Sequence, residues 1–154
     1  MRAVIQRVSS ARVTSIAQGI ATETGKIDLG FLVLLGIRAD DTAEDARWLA
    51  DKIAGLRVFE DQEGKLNLAL QDVGGSVLLV SNFTLYADCR KGRRPSFAEA
   101  ASGPVARTLY ELFGRMLSER AIPVEYGEFG AEMRVSLEND GHVTLVIDTP
   151  QQAR

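Results

Sequence analysis

The sequence predicts an α+β fold of mostly antiparallel strands with two main helices. Two segments carry apolar residues at helical spacing, which indicates one buried face for each helix. The other apolar residues lie in short runs, several of them rich in β-branched side chains, which is typical of strands. Turn residues separate these runs, so neighbouring strands are expected to pair with antiparallel geometry.

The chain has 154 residues, of which 45% are hydrophobic and 25% are charged. This length and composition predict one domain, spanning 1–154, with a sizeable core. No apolar run approaches the roughly 20 residues that a membrane span needs, and the N-terminal segment has no signal-peptide core. A single cysteine, Cys89, rules out an internal disulfide. Together these features favour a cytoplasmic protein without a membrane partner.

The net charge of −3 argues against a generally basic nucleic-acid binder, so any contact with RNA is expected to use a local patch. The only histidine is His142, which argues against a histidine-rich metal site or a Cys/His zinc cluster. The sequence also lacks a Gly-x-Ser-x-Gly elbow, a Walker loop and a dinucleotide-binding glycine motif. We therefore expect neither a metal ion nor an organic cofactor.

The first half of the chain is predicted to contain several strands and one helix. Apolar runs and turn residues predict β segments at 2–8 and 10–16, a hairpin turn at 17–19, a strand at 20–23, a turn region at 25–30 and a central buried strand at 31–37. Thr42 and Asp45 resemble a capping box and predict the start of the helix. Its buried face is expected to comprise Ala46, Leu49, Ala50, Ile53 and Leu56. A strand at 56–59 and a charged turn at 60–65 are expected to follow.

The second half is predicted to begin with a strand at Ser76 and to contain the second helix. Ser102 and Pro104 fit the start of that helix, which is expected to end before Ile122. Its apolar stripe is expected to comprise Val105, Leu109, Leu112, Phe113, Met116 and Leu117. The remaining runs predict strands at 124–126, 133–137 and 143–147, with a tight turn at 138–141.

Polar residues interrupt the apolar strand that begins at Ser76. Ser81, Asn82 and Thr84 place two hydroxyls and an amide where apolar residues would otherwise continue. Buried polar groups need hydrogen-bond partners, so these side chains either satisfy neighbouring backbone groups or line a site. Four cations follow within 90–94, the densest positive run in the chain. The sequence therefore predicts a polar pocket beside a cationic rim.

The residues around this pocket also resemble a known family. Ser-Asn-Phe-Thr-Leu at 81–85, Tyr-Ala-Asp at 86–88 and Arg-Lys-Gly-Arg-Arg-Pro-Ser-Phe at 90–97 are similar to the signature of the D-aminoacyl-tRNA deacylases. Further motifs of that family have similar counterparts at 1–8, 56–61, 72–75, 129–133 and 135–141. Because all of these motifs occur in the family's order, together they are more specific than any one of them.

The resemblance implies a homodimer in which sheets form a barrel-like core with the helices outside. It implies hydrolysis of the ester between tRNA and a D-amino acid, and of glycyl-tRNA mischarged on tRNA-Ala, as a proofreading step. In such enzymes a Gly-cisPro dipeptide of the partner subunit enters the pocket and excludes L-amino acids. Catalysis relies on backbone positioning and on the 2′-hydroxyl of the tRNA, which suits an ester that is already activated.

Matching positions assign the site residues by resemblance. The catalytic pocket would comprise Ser81, Asn82, Phe83 and Thr84, with backbone N–H groups near Phe83 and Thr84 as candidate oxyanion donors. Substrate contacts would come from Met133, Phe97, Gly141, His142 and Thr144. Phosphates near the acceptor end of the tRNA would be held by Arg90, Lys91, Arg93 and Arg94.

Some of these assignments have plainer alternatives. Phe83 packs against the adenine or against the pocket wall, and Phe97 stacks on a base or packs at the pocket mouth. Met133 lines the pocket or fills the core. The basic run contacts phosphates or is a solvated surface loop.

Two positions depart from the family's motifs. Asn82 stands where the family usually has glutamine, which keeps the amide but shortens the side chain by one methylene. His142 stands where the family usually has the proline of Gly-Pro. A cis bond before a non-proline residue costs about 3 kcal/mol, so the sequence favours a trans bond between Gly141 and His142 unless the dimer imposes the cis form. His142 then either contacts substrate in the partner's pocket and alters selectivity, or is a turn residue without such a role.

The sequence thus favours a dimeric tRNA proofreading hydrolase. One alternative is a deacylase of the same family with relaxed or altered chiral specificity. A second is a module that binds the tRNA 3′ end or a nucleotide without hydrolysis, and a third is a purely structural dimerisation protein. Adenosine binding without turnover would favour the second, and a lack of affinity for the tRNA 3′ end would favour the third.

Overall fold

The computed structural model describes residues 1–150 of the chain. Its elements follow in this order: β1 (Arg2–Ala17), β2 (Ile20–Ile27), β3 (Gly30–Gly36), α1 (Ala43–Ala54), β4 (Phe59–Glu60), β5 (Leu66–Leu68), β6 (Ser76–Ser81), a 3₁₀ helix (Phe83–Tyr86), α2 (Gly103–Ser118), β7 (Val124–Tyr126) and β8 (Glu132–Asp148). The combination of mostly antiparallel strand pairs with two helices confirms the predicted α+β class.

Strand β1 is the centre of the main sheet. Five strands are hydrogen-bonded in the order β2-β1-β3-β6-β7, and β8 also pairs with β1. The three pairs that involve β1 are antiparallel, whereas the pairs β3–β6 and β6–β7 are parallel. β1 accommodates three partners because its first half pairs with β3, its second half with β2, and both halves with β8.

The sheet is nearly closed into a barrel where β2 approaches β7. A Cβ atom at Gly25 would lie 2.6 Å from the carbonyl oxygen of Tyr126, so this approach requires glycine. The Tyr126 side chain in turn packs against α2, where a Cβ atom at Gly114 would lie 2.5 Å from the tyrosine hydroxyl oxygen. The barrel-like core with helices outside is therefore confirmed.

One face of the sheet is covered by helices, and the other, which we call the helix-free face, is not. Both helices contribute apolar residues to the larger core on the covered face. The Tyr110 hydroxyl of α2 donates a hydrogen bond to the carbonyl oxygen of Leu79 at 2.8 Å, which fixes α2 against β6. The helix-free face holds a smaller cluster, whose members in the described chain are all strand residues.

A row of apolar side chains crosses the helix-free face. Val4 pairs with Val146 on one side and with Leu34 on the other. Leu34 pairs with Val80. Because side chains alternate between the faces of a strand, these four lie side by side. Val80 is buried, Val4 and Leu34 are half-buried, and Val146 is 63% exposed, so the apolar row becomes more exposed toward β8.

Both helices begin where the sequence predicted. Thr42 caps α1 in a capping box with Asp45, and α2 follows Ser102 with proline in its first turn. Asp41, just before α1, accepts hydrogen bonds from the N-terminal ammonium at 2.5 Å and from the Arg38 amide at 2.6 Å. The start of α1 is therefore tied to the first residue of the chain and to the end of β3.

Several local predictions are wrong because strand pairing with distant segments decides them. The β segments predicted at 2–8 and 10–16 form the single strand β1, and β2 extends into the predicted turn at 25–30. The strand predicted at 56–59 is reduced to β4, which pairs with the unpredicted β5. Val105, predicted in the buried stripe of α2, is 45% exposed.

The tight turn predicted at 138–141 is also wrong. The strands predicted at 133–137 and 143–147 are both parts of β8. Both run antiparallel to the same strand, β1, so the chain keeps its direction between them. The asparagine and glycine that suggested a turn instead belong to a segment that bulges out of the strand.

Replacing Gly114 with alanine is expected to lower the free energy of unfolding by about 1–3 kcal/mol. The new methyl group would be placed 2.5 Å from the Tyr126 hydroxyl oxygen, so α2 and β7 would have to move apart. Urea denaturation measures the effect. Gly103→Ala is the matched control, because nothing lies within 4 Å of a Cβ atom at that position in the same helix. Equal stability of the two variants would show that α2 does not depend on this close contact.

Candidate functional site

A shallow pocket opens on the helix-free face, at the carboxyl end of β6. It has a volume of about 350 Å³. Its wall comes from β1, β3, β6, β8 and the segments adjoining them: Gln6, Leu32, Leu34, Val80, Ser81, Asn82, Ala131, Met133, Val135 and Leu137. The wall is therefore mostly apolar, with one hydroxyl and two amides. Of the predicted site residues, it contains Ser81, Asn82 and Met133.

Asn82 links strand β6 to the 3₁₀ helix. Its backbone N–H donates to the carbonyl oxygen of Leu35 at 2.8 Å, which continues the contact with β3. Its side-chain Oδ1 accepts from the Thr84 amide at 3.2 Å and from the Thr84 hydroxyl at 2.5 Å. The short side chain of asparagine suits this cap on a residue two positions later. The Thr84 hydroxyl is consequently directed at Asn82, and Thr84 itself is exposed.

Phe83 and Thr84 lie on the 3₁₀ helix beside the pocket. The first amide of a helix has no acceptor within that helix, so the Phe83 N–H is available to a ligand. The Thr84 N–H, by contrast, donates to Asn82 Oδ1. The Phe83 ring is 55% exposed and meets Phe97 edge to face, with the ring centroids 5.1 Å apart. Of the two candidate oxyanion donors, the structure therefore favours the Phe83 amide.

The basic run lies in a closed loop, 88–96, which we call the basic loop. Asp88 and Ser96 close it with two backbone hydrogen bonds, of 2.7 and 3.0 Å. The Arg90 guanidinium makes hydrogen bonds of 2.8 and 2.7 Å to the Asp88 carboxylate, and this pairing lowers the pKa of Asp88 to about 2. The other cations of the loop are exposed and make no ion pair within residues 1–150: Lys91, Arg93 and Arg94.

Residues 140–143, which we call the tip, bulge out of β8. The register places these four residues of β8 opposite the single residue Arg7 of β1. A bulge of this kind displaces the extra residues from the plane of the sheet. Gly141 and His142 are both exposed there.

Arg7 and Asn139 hold the tip. The buried side chain of Arg7 donates from Nε to the carbonyl oxygen of Asp140 at 3.0 Å and from Nη1 to that of Val58 at 2.6 Å. Asn139 Nδ2 donates to the carbonyl oxygens of Arg7 and Val143, each at 3.1 Å. Hydrogen bonds therefore tie the tip to β1 and connect the two residues that flank it, so that Gly141 and His142 are held from both sides.

The peptide bond between Gly141 and His142 is cis, so the expectation of a trans bond is wrong. That expectation rested on the intrinsic preference of a peptide before a non-proline residue. In the folded chain, the tip is constrained by hydrogen bonds from Arg7 and Asn139, which the local sequence does not reveal.

The tip lies outside the pocket of its own chain. The pocket wall includes neither Gly141 nor His142. Thr144, just after the tip, is exposed and accepts a hydrogen bond from Gln6 Nε2 at 3.3 Å. Because Gln6 belongs to the pocket wall, Thr144 lies near the pocket through this contact. One chain therefore assembles only part of the predicted site.

Two positions that shape the site were missed by the sequence analysis. Gln6 lines the pocket, and Arg7 holds the tip, yet both lie far along the chain from the motif at 81–85. A polar residue inside an apolar strand was the signal that singled out Ser81. The same signal was available for Gln6 and Arg7 in the strand predicted at 2–8.

A larger cleft, of about 1140 Å³, lies on the other side of the 3₁₀ helix. Several of its charged groups pair with one another: Arg2 Nε lies 2.7 Å from Asp148 Oδ1, and the N-terminal ammonium lies 2.5 Å from Asp41 Oδ1. Burial raises the pKa of Tyr86, which lies beneath the guanidinium of Arg2. These internal pairs make the cleft a poorer candidate for ligand binding than the pocket.

Metal and membrane features give no further site. Within residues 1–150, no three side chains of His, Cys, Asp or Glu are grouped so that they could hold a metal ion. Over the same residues, no helix is long and apolar enough to cross a membrane. Cys89, in the basic loop, is an exposed free thiol.

The sequence matches curated proteins over almost its whole length. A D-aminoacyl-tRNA deacylase of Thermus aquaticus is 58% identical over 152 residues, which cover 99% of this chain and 97% of that protein. A D-aminoacyl-tRNA deacylase of Exiguobacterium sibiricum is 57% identical over 148 residues, which cover 96% of this chain and 99% of that protein.

Two solved structures have a similar fold. The c-Myc DNA Unwinding Element Binding Protein has a TM-score of 0.88 and 38% identity, and the match covers 97% of this chain and 99% of that one. A probable eukaryotic D-amino acid tRNA deacylase has a TM-score of 0.77 over 95% of this chain and 97% of that one, and its 18% identity supports the fold alone. The family model for D-Tyr-tRNA(Tyr) deacylase matches residues 4–148. The chain therefore belongs to the D-Tyr-tRNA(Tyr) deacylase family.

Proposed function

We propose that this protein is an enzyme that hydrolyses the ester between the 3′-terminal adenosine of a tRNA and a D-amino acid, or glycine mischarged on tRNA-Ala. The observation that carries the proposal is a pocket containing Ser81 and Asn82, in a chain whose family is named for this activity. Hydrolysis would release free amino acid and tRNA, and would thus correct errors after aminoacylation. Because the substrate is charged tRNA, we propose that the reaction takes place in the cytoplasm.

The pocket residues would position the ester. The wall consists of apolar side chains, the Ser81 hydroxyl and the amides of Gln6 and Asn82, none of which is a base at neutral pH. An aminoacyl ester is already activated, so orientation and a donor aimed at the developing oxyanion can supply much of the rate enhancement. The Phe83 N–H is the proposed oxyanion donor, and the 2′-hydroxyl of the terminal adenosine would accept a hydrogen bond from the attacking water and orient it. The water oxygen would bond to the carbonyl carbon, the bond from that carbon to the 3′-oxygen would break, and the proton of the water would pass to the departing 3′-oxygen. Met133 and its apolar neighbours would hold the amino-acid side chain.

A second copy of the chain would complete the site. The apolar row that ends at the exposed Val146 gives the helix-free face a surface suited to a second copy. The tip is exposed, held in a fixed conformation, and outside its own pocket. We place the tip of each subunit in the pocket of the other, where the backbone at Gly141 and His142 would face the chiral carbon. Thr144 would contact the substrate from the same segment.

The basic loop would hold phosphates of the tRNA acceptor end. Its exposed cations, Lys91, Arg93 and Arg94, are available because they make no ion pair within residues 1–150. Arg90 would add positive charge, but its two hydrogen bonds to the Asp88 carboxylate give it chiefly a structural role in the loop. Such contacts give affinity that weakens with salt and carries no sequence information.

A second candidate function is hydrolysis with altered amino-acid selectivity. The observation that favours it is His142, whose exposed imidazole sits on the tip. An imidazole offers both a donor and an acceptor, so it could contact polar groups of a substrate that an apolar ring could not. This candidate keeps the same pocket and the same dimer.

The purified protein is expected to hydrolyse D-aminoacyl-tRNA and glycyl-tRNA about a hundredfold faster than L-aminoacyl-tRNA. A backbone filter at the tip would reject the side chain of the L-isomer, whereas glycine has none. Release of labelled amino acid from each charged tRNA measures the rates. Failure to hydrolyse any of the three would sink the proposed function. The second candidate would be favoured if the unaltered protein hydrolysed D- and L-substrates at equal rates and His142→Ala restored the preference for D-substrates.

Replacing Asn139 with aspartate is expected to lower the ratio of D- to L-substrate hydrolysis about tenfold. The carboxylate cannot donate, so the variant cannot form the two hydrogen bonds of 3.1 Å that hold the tip, and the tip shifts. Steady-state rates on paired D- and L-aminoacyl-tRNA give the ratio. Gln18→Glu makes the same chemical change at an exposed hairpin turn, so its ratio should match that of the unaltered protein. An unchanged ratio in the Asn139 variant would remove the tip from the selectivity mechanism.

Replacing Lys91, Arg93 or Arg94 with alanine is expected to reduce the slope of log affinity against log salt by about 0.7 for each phosphate that the variant no longer neutralises. Fluorescence anisotropy of uncharged tRNA over a salt titration measures the slope. Lys52→Ala is the control, because it removes the same charge from α1, where Lys52 lies over the Trp48 ring. Identical slopes for loop and control variants would exclude the basic loop as the phosphate-binding element.

A further inference from the structure

Two exposed phenylalanines contact each other beside the pocket residue Asn82, which Phe83 directly follows. Phe83 is 55% exposed and Phe97 is 38% exposed. Their rings meet edge to face at an interplanar angle of 69°. An exposed phenylalanine ring raises the free energy of the folded protein, because removing its apolar surface from water is favourable. A pair of this kind on the surface therefore suggests a ligand with flat apolar faces.

One ring of the pair adjoins the pocket along the backbone, and the other adjoins the basic loop. Phe83 directly follows Asn82, which lines the pocket. Phe97 directly follows Ser96, which closes the basic loop against Asp88. Because the two rings touch, they form one aromatic surface that joins a residue beside the pocket to a residue beside the basic loop.

The backbone at Phe97 is held in place. Its carbonyl oxygen accepts from the Ala100 amide at 3.1 Å. Ala100 also forms a bridge with Arg38, and the Ala101 amide donates to the carbonyl oxygen of Ile37 at 2.9 Å. Phe97 is thus tied to the end of β3, the strand that also supports Asn82. The two rings consequently share one rigid support, which favours stacking because little order is lost on binding.

We propose that the Phe83–Phe97 pair is a stacking platform for the unpaired nucleotide that precedes the terminal adenosine, with its phosphate held by the basic loop. This inference rests on the proposed function, since it requires the terminal adenosine to occupy the pocket. The arrangement of exposed rings beside exposed cations matches the alternation of bases and phosphates in a single strand. Stacking is tolerant of sequence because every base has a π face, so the platform would serve different tRNAs alike.

The cations of the basic loop favour RNA over a protein segment as the ligand of the Phe83–Phe97 pair. Lys91, Arg93 and Arg94 are exposed and make no ion pair within residues 1–150. An apolar protein partner would leave these charges unmatched, whereas a nucleotide brings one phosphate for each base. The platform therefore binds a nucleotide through its base, and the loop binds the same chain through its backbone.

The test compares two substrates that differ by the nucleotide in question. One is D-aminoacyl-tRNA, and the other is 3′-D-aminoacyl-adenosine, which lacks the preceding nucleotide. Phe97→Ala should raise KM for the tRNA about tenfold and should raise KM for aminoacyl-adenosine much less, because only the tRNA carries the stacked nucleotide. Phe97→Trp keeps an aromatic face and should stay close to the unaltered enzyme. Leu66→Ala removes an exposed apolar side chain from the β4–β5 hairpin and serves as the control.

Retained hydrolysis of aminoacyl-adenosine shows that the Phe97 variant is folded, so three results overturn the platform. An unchanged KM for tRNA removes any role for Phe97 in binding. An equal loss with both substrates makes Phe97 part of the pocket itself. Loss of dimer by Phe97→Ala in size-exclusion chromatography makes the pair a contact between subunits.

A binding assay separates the platform from the catalytic proposal. An uncharged oligonucleotide ending in the tRNA 3′ sequence, with 2-aminopurine in the penultimate position, reports stacking as a loss of fluorescence. Quenching by the unaltered protein that Phe97→Ala abolishes supports the platform, even if no charged tRNA is hydrolysed. Equal quenching by both proteins overturns it, even if hydrolysis is efficient.

Discussion

The pairing of β8 with β1 is the constraint on which the rest of this structure depends. The two strands are paired from Arg2 opposite Asp148 to Ile16 opposite Glu132. Both ends of β8 are fixed in register, so the additional residues between them must leave the sheet. They do so opposite Arg7, which supplies hydrogen bonds to the displaced segment. The same pairing places Met133, Val135 and Leu137 in the pocket wall, so one strand both builds a pocket and carries a tip that lies outside it.

The end of β6 shows how a few polar groups can serve structure and site together. Asn82 completes the contact with β3 through its backbone and caps the 3₁₀ helix through its side chain. These bonds pair Asn82 Oδ1 with the amide and the hydroxyl of Thr84, so two of the residues that interrupt the apolar strand partner each other. They also leave the Phe83 amide at the start of the helix and turn the Phe83 ring outward toward Phe97. A structural role for Asn82 and a site beside it are therefore compatible.

Charge on this surface is divided into groups that are paired and groups that are not. Around the larger cleft, Arg2 is matched with Asp148 at 2.7 Å and the N-terminal ammonium with Asp41 at 2.5 Å. In the basic loop, Asp88 pairs with Arg90, whereas the other three cations remain exposed. A protein of net charge −3 can thus present a positive surface in one place, because local pairing rather than the total decides which charges a ligand meets.

The sequence alone determined the α+β class, the starts of both helices, the strand leading to Ser81 and the position of the basic run, because periodicity, capping residues and charge are local properties. The resemblance of its motifs indicated the family. Only the tertiary structure decided that 133–137 and 143–147 are one strand, that the bond before His142 is cis, that Gln6 lines the pocket and that Arg7 holds the tip. These features depend on contacts between residues more than a hundred positions apart or on the register along β1. Neither long-range contacts nor strand register can be read from a local sequence pattern.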